Sequence, residues 1–476
     1  MIKKPKTKGE RFGRPFIFIG ILLVSYISIF SRLLVIVNSD HDAHLSFMDS
    51  MQRFNNNTTN GTVAPLEFSI NSSFPSWQQR AKYNMTRQGF YNDAPNSTID
   101  APNGTIAPLE FSTNFIFPSW QQRVKYYMGD WYNRTLNRIS CKGVKIATAN
   151  GKIISDQTVL YSYKTLSSQV KIKDWRVGPY LKLAHDIVSN VNLSYNDREN
   201  QQIVLVIGDS SHTGTSLPAI AKTRFSRFAI EKGTKKTFFQ SIIWPLSTNR
   251  HFDSRIDEYM NLRKEGRGTD WENKTSSLIW RGGVTGINGI HRLLENHADV
   301  SARIQVVKRY FNSNTSDIDV AFPEQDRNSK HIPSKYKECR SYVRKGGTTM
   351  EQQLQYKYIL SIEGNDVASG LKWQLTSNSV VFMAKPTMVS YAMEDLLIPF
   401  VHYIPVNDDY TNLHEMVDWA RRNDRQCKWI SEQATSYMER LWISEEAKRD
   451  NELIKGELGK IYHRQFGNAI KSSRCK

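Results

Sequence analysis

The pattern of apolar and polar positions changes twice along the chain. Residues 16–37 ("FIFIGILLVSYISIFSRLLVIV") form one nearly continuous apolar run. A polar, Asn-rich stretch follows to about residue 136, and from about Asn137 short apolar runs alternate with helical patterns. The runs "QQIVLVIGDSS" (201–211), "FFQSIIWP" (238–245), "SSLIWRGG" (276–283), "YKYILSIEG" (356–364), "SVVFM" (379–383) and "VHYIPV" (401–406) each read as a strand. Unbroken apolar runs of this length are the mark of strands covered on both faces. Between them, "SARIQVVKRYF" reads as a helix, and "IHRLLENHA" just before it carries a helical pattern too. In "TNLHEMVDWARRN", Leu413, Met416, Val417 and Ala420 share one helical face, and Asn412 with Glu415 predicts a capping box. Ile430, Ala434, Tyr437 and Leu441 continue the apolar face in the next helix. Strands alternating with helices predict an α/β fold with mostly parallel sheets. Two clusters, about 140–260 and 270–440, predict two lobes.

The apolar run changes the picture of where the body resides. Twenty-two residues suffice to cross a bilayer as a helix. Lys3, Lys4, Lys6, Lys8, Arg11 and Arg14 precede it, which places the N-terminus in the cytosol. Arg32 lies near the far end, where its long stem can snorkel to the interface. A cleaved signal peptide would be shorter and followed by small residues. No Ala-x-Ala site follows, so an uncleaved anchor is preferred. Asn-x-Ser/Thr occurs at Asn56, Asn57, Asn60, Asn71, Asn84, Asn96, Asn103 and Asn133, then only at Asn192, Asn273 and Asn314. That density predicts an exposed, glycosylated stem. The stem holds a duplication: "NGTVAPLEFSINSSFPSWQQRAKYNM" at 60–85 returns at 103–128 as "NGTIAPLEFSTNFIFPSWQQRVKYYM". Two copies are too few for a solenoid. The aromatics of "FPSWQQR" suit packing on the body. The expected order is a cytosolic tail at 1–15, a transmembrane anchor at 16–37, a luminal stem at 38–136 and a globular domain at 137–476.

Composition narrows the class further. The 476 residues are 39% hydrophobic and 11% aromatic, which suits a globular body with a sizeable core. The formal charge of +18 suits nucleic acid, anionic membrane or phosphorylated ligands. A nucleic-acid binder would leave the anchor and the sequons without purpose. Cys141, Cys339, Cys427 and Cys475 lack metal-ligand spacing and in an oxidising lumen allow up to two disulfides, in any of three pairings.

Ligands of open α/β sheets gather past the carboxyl ends of the strands, and three groups stand at such ends. Asp209 in "LVIGDSS" suits a general base, or a turn or helix-capping aspartate. Arg281 in "LIWRGGVTG" suits bidentate pairing with a diphosphate, or a salt bridge beside a Gly turn. Past Ile362, Glu363, Gly364, Asn365 and Asp366 lead to Ala368, Ser369 and Gly370 at a helix start, with Lys372 in its first turn. This order suits a phosphate cradle with Glu363 on a ribose, or an ordinary capped helix. It is not a Walker A loop. An Asp-x-Asp at 317–319 leaves a metal-dependent transferase as a minor alternative.

Taken together, "WRGGVTG…HR", "QYKYILSIEGNDVASGLKWQLTSNSVVFM" and "FVHYIPVNDDYTNLHEMVDWARRND" resemble glycosyltransferase family 90, the capsule-associated and lipopolysaccharide-modifying type that includes protein O-glucosyltransferases. The resemblance covers roughly 200–442. It implies a GT-B-like fold, two Rossmann-like lobes with a cleft: an acceptor lobe at about 137–270, a donor lobe at about 271–440, and C-terminal helices at 444–476. It implies a UDP-sugar donor, a glycan or glycoprotein acceptor and no cofactor or metal. By resemblance Asp209 activates the acceptor hydroxyl, although "GDSSHT" is a loose match. Arg281 holds the diphosphate, with Gly282, Thr285, Arg292, Glu363, Gly364, Asn365, Asp366, Ser369 and Lys372 as further donor-binding candidates. Many members carry an Arg two residues after the Ser; here Leu371 stands there with Lys372 beside it, as in the bacterial-type branch. Anchor and luminal body suggest the Golgi, with the ER as alternative, since "SSRCK" is no KDEL-type signal. The competing reading is a family-related lectin or scaffold without catalysis.

Overall fold

The computed structural model describes residues 115–473, apart from 141–143, 147–156, 163–186, 188–201, 209–216, 234–239, 246–252, 285, 287–300, 314–316, 329–331, 333 and 348. The apolar run at 16–37, the first repeat and most sequons lie outside these residues. Among the described residues no helix is long and apolar enough to cross a membrane.

Two sheets carry the fold. The first joins β1 (Val144–Ile146), β2 (Gln157–Ser162), β3 (Gln202–Ile207), β4 (Ile220–Ala221) and, past β5 (Thr223–Phe225), β6 (Ile242–Ile243), in spatial order β1-β2-β3-β4-β6. All its pairings are parallel except β2 with β3. The second sheet uses β7 (Thr275–Arg281), β8 (Ile318–Pro323), β9 (Val343–Arg344), β10 (Tyr356–Ser361), β11 (Val380–Met383) and, past β12 (Met388–Ser390), β13 (Ile404–Pro405). Its order is β13-β11-β10-β7-β8-β9, parallel throughout. Each run expected to be a strand contains one. β8 was not expected, because the polar "SDID" start hides the apolar "VAFP" behind it.

The sheets are stitched together. β5, from the first half, pairs antiparallel with β12, from the second, with Ser390 opposite Thr223. Beside that seam the Lys222 ammonium meets the Asp366 carboxylate at 2.7 Å, both nearly buried. One hydrophobic core runs from Ile203–Ile207 through Leu371, Leu375 and Met383 to Ile454, Leu458 and Phe466.

The helices, in chain order, are α1 (Trp120–Met128), α2 (Arg227–Gly233), α3 (Asp253–Lys264), α4 (Ala302–Tyr310), α5 (Met350–Gln353), α6 (Leu371–Thr376), α7 (Leu413–Arg422), α8 (Asp424–Met438), α9 (Glu445–Tyr462) and α10 (Asn468–Ser472). α7 buries Leu413, Met416, Val417 and Ala420, the face that its spacing predicts. The expected capping box is absent: the Asn412 side-chain Oδ1 instead accepts from Asn407 N–H at 2.9 Å, because the 407–412 turn claims it first. α9 returns to the first sheet, where the Tyr462 hydroxyl accepts from Val204 N–H at 3.0 Å.

The second repeat belongs to this body. Ser119 and Gln122 form a capping box at the start of α1. Gly129 ends the helix at φ 54°, where any Cβ would stand 2.6 Å from an Arg224 guanidinium nitrogen. That guanidinium donates to the carbonyls of Tyr126 and Tyr127, as suits the negative end of a helix. Phe115 and Phe117 pack on Tyr437. Arg123 is fully buried and donates to the Tyr391 hydroxyl (2.8 Å) and Asn451 Oδ1 (2.6 Å). Cys339 and Cys427 are buried free thiols, so neither joins a disulfide in this structure; Cys141 and Cys475 lie outside the described residues.

Truncating Arg123 leaves both a cavity and buried polar partners. Arg123→Ala is expected to destabilise the body by about 3 kcal/mol. A denaturant titration that shows no shift in midpoint would remove α1 from the cooperative core.

Candidate functional site

A crevice opens past the carboxyl ends of β10, β11 and β13, where an open parallel sheet places its ligands. Ser361, Glu363 and Gly364 line it from β10, Met383 to Thr387 from β11, and Asp408 and Tyr410 from the turn after β13. Gly286, after β7, and Ala302, the first residue of α4, close one side. Tyr410 holds a left-handed φ of 57°, a conformation that costs a non-glycine residue about 1–2 kcal/mol. Its carbonyl accepts from the Tyr310 hydroxyl at 2.6 Å, which fixes the turn.

Glu363 is half-buried and spans the crevice floor. Its Oε1 accepts from Thr387 N–H (2.9 Å) and Met388 N–H (3.1 Å), and its Oε2 from the Thr387 hydroxyl. Burial pushes its pKa up to about 7, against the lowering effect of those hydrogen bonds. The carboxylate thereby ties the loop after β10 to the start of β12. Gly364 and Gly286 are required by close approach. A Cβ on Gly364 would stand 3.0 Å from an Arg303 nitrogen, and one on Gly286 would press on Ser301 Oγ and the Glu363–Gly364 backbone. Asn365 accepts from Gly286 N–H at 3.1 Å, joining the loop after β7 to the loop after β10.

Other candidates point elsewhere. The five N–H groups of Arg281 are all engaged: Gly346 O at 3.3 Å, Trp280 O and Asp319 O at 2.9 Å, and the two Asp319 carboxylate oxygens at 2.9 and 2.8 Å. In this conformation it joins β7 to β8, with every N–H on an internal acceptor. Gly282 is needed because a Cβ would meet the Trp280 ring at 2.6 Å. Lys372 lies inside the body. Its ammonium sits 2.9 Å from Glu394, and each side chain is 1% exposed. Glu394 further accepts from Ser390 N–H and its hydroxyl at 2.6 Å. α6 spans only six residues, too short to build the macrodipole expected there. Asp366 is spent on Lys222, while Ser369 is exposed beside the crevice. In the Asp-x-Asp triplet Asp317 pairs with Arg421, and Asp319 with Arg281 and Arg344. Asp209, Thr285 and Arg292 lie outside the described residues; β3 ends at Ile207, and Gly208 turns with φ 94°.

Sequence reasoning missed Arg303, which donates to Gly283 O (3.0 Å) and Ile362 O (2.9 Å) and so braces both loops. Burial lowers its pKa to about 10, against the opposing pull of Tyr410, Asp366 and Glu363. It also missed Lys385, exposed past the end of β11 with its ammonium 4.2 Å from the Phe228 ring centre. The strand-end rule, applied to β11 as it was to β10, names Lys385.

With this geometry in hand, comparison with known proteins is informative. Residues 253–446, which include the whole crevice, match the family described as Glycosyl transferase family 90. Over that segment the chain is similar to family 90 glycosyltransferases. An O-glucosyltransferase LpsA from Dichelobacter nodosus is 38% identical over 105 residues, 22% of this chain and 31% of that protein. Protein O-glucosyltransferase 2 from Danio rerio is 27% identical over 164 residues, 34% of this chain and 28% of its own length. Uncharacterized protein 179R of Invertebrate iridescent virus 6 is 26% identical over 204 residues, 39% of this chain and 17% of that one. The chain thus spans under a third of the length of each of these relatives.

Two outcomes are expected. Lys372→Met strands the Glu394 carboxylate in the core and costs about 3 kcal/mol or more, whereas Lys372→Met with Glu394→Gln costs far less. A double-mutant cycle in denaturant that shows additive losses would contradict the coupling. The second concerns pH. The folded Glu363 pKa of about 7 exceeds the ordinary glutamate value of 4.5, so the native state binds more protons between them. Stability contributed by this group therefore falls as pH rises from 4.5 through 7. Glu363→Gln keeps an acceptor for both N–H groups and should flatten that part of the stability profile.

Proposed function

We propose that the chain is a UDP-sugar-dependent glycosyltransferase that moves xylose, glucose or a similar sugar onto a glycan or glycoprotein. The observation that carries this reading is the family 90 match over the segment that builds the crevice. The names of two relatives, both O-glucosyltransferases, support sugar transfer to oxygen. The reaction is a direct displacement: the acceptor oxygen bonds to the anomeric carbon as the carbon–oxygen bond to phosphate breaks. Asp209 takes the acceptor proton and UDP leaves with the bonding pair. No metal ion or cofactor takes part. The body works in the lumen of the Golgi, or alternatively the ER, behind a single-pass type II anchor at 16–37. The apolar run, its basic flank and the dense sequons support that placement.

The test is UDP release from a panel of UDP-sugars by the full-length chain in chelator, with an acceptor mixture of glycans and glycoproteins. Release from one donor is expected, reduced about 10²-fold or more in Asp209→Asn. Binding of UDP-sugars without turnover, unchanged by Asp209→Asn, would favour the catalytically silent scaffold.

A further inference from the structure

The Asn-x-Ser/Thr triplets crowd ahead of the globular body, yet Asn192, Asn273 and Asn314 fall within it. Of these three, Asn273 lies among the described residues. A single helical turn, Trp271–Asn273, brings it to the start of β7. The turn closes through the Asn273 backbone N–H, which donates to Asp270 O at 3.0 Å, and the residue itself is exposed.

The backbone sorts the three residues of "NKT" (273–275) by face. Lys274 is extended, with φ −80° and ψ 147°, and in extended chain the neighbours of a residue point away from its side chain. Lys274 turns inward: it is buried, and its ammonium donates to Leu354 O at 2.5 Å and Ser379 Oγ at 2.9 Å. Asn273 and Thr275 are therefore turned to water together, and both are exposed. An asparagine and a hydroxyl residue two positions on are what N-glycosylation requires, on a surface with room for a bulky glycan. Here the fold presents both and locks the residue between them.

We propose that Asn273 carries an N-linked oligosaccharide, an inference that rests on the luminal placement of the body given above. In the transfer, the Asn273 amide nitrogen bonds to the anomeric carbon of a lipid-diphosphate-linked oligosaccharide, which the secretory pathway supplies. The carbon–oxygen bond to phosphate breaks, the lipid diphosphate leaves with the bonding pair, and one amide proton is lost to solvent.

The surroundings accommodate the glycan. Thr275 opens β7 opposite Tyr356, the first residue of β10, whereas the crevice lies past the other end of β10. A glycan at this edge leaves the crevice open. A groove begins at Trp271 and Glu272, just before Asn273, and extends to Trp429 of α8. Two ion pairs line it, Lys428 with Glu272 at 2.7 Å and Lys357 with Asp424 at 2.6 Å, and Arg425 and Glu432 add one charge of each sign. Such a lining offers donors and acceptors to neutral sugar hydroxyls without a net charge to draw an anion.

Peptide mapping of the full-length chain made in eukaryotic cells tests the assignment. Enzymatic release of glycans in heavy-oxygen water marks each asparagine that carried one. A mark at Asn273 is expected, lost in Thr275→Ala and retained in Thr275→Ser. Both substitutions sit at an exposed strand end and keep Asn273 itself. A mark that persists in Thr275→Ala reports deamidation instead of a glycan and overturns the inference. Marks at Asn60 and Asn103 of the stem with none at Asn273 also overturn it, and leave the luminal placement standing. Marks at no Asn-x-Ser/Thr triplet overturn the luminal placement on which the inference rests.

Discussion

The arrangement of the site depends on one buried ion pair. Lys372 and Glu394 lie 2.9 Å apart with almost no exposure to water. An ammonium or a carboxylate alone at that depth would carry a penalty of several kcal/mol, so neither is tolerated without the other. Lys372 belongs to α6, which starts directly after the loop of Glu363 and Asn365. Glu394 grips Ser390, and Ser390 is the residue of β12 that faces Thr223 on β5. A single pair thereby links the crevice loop to the seam between the sheets. Its geometry is specific because Ser390 satisfies the remaining carboxylate lone pairs.

The same pair shows how the fold engages a basic residue near a glycine-rich turn. In sequence, Lys372 has the credentials of a phosphate ligand. In the fold, α6 places it on the inner face, and an acid twenty-two positions further on claims it. Arg281 shows the same effect at the end of β7, where Asp319 on the neighbouring strand completes a bidentate pair. Which charged partner lies within reach is set by strand order, β7 beside β8, and strand order is not written in either segment alone.

What was legible followed from local rules. Buried strands appear as unbroken apolar runs, so β3, β6, β7, β10, β11 and β13 were readable, as was the apolar face of α7. β8 escaped because its first residues are polar, and β5 with β12 because three-residue strands carry no periodicity. In the crevice, Glu363 and Gly364 were found from the strand-end rule. Arg303 sits inside a helix that reads as an ordinary amphipathic segment, and nothing local marks its reach to Gly283 and Ile362. Tyr410 owes its place to a left-handed turn rather than to its side-chain type.

The packing of α1 gives the duplicated sequence an unequal pair of fates. The groove beside Tyr391 and Asn451 holds the second repeat, in which Val124 and Tyr127 are buried and Phe115 stacks on Tyr437. At the matching places the first repeat has Ala81, Asn84 and Ser72. Seating it there would leave cavities and a buried amide, a penalty on the order of 4 kcal/mol, or roughly a thousandfold in occupancy. One lock therefore distinguishes between two nearly identical keys, and the side chains of Phe115, Val124 and Tyr127 carry the difference.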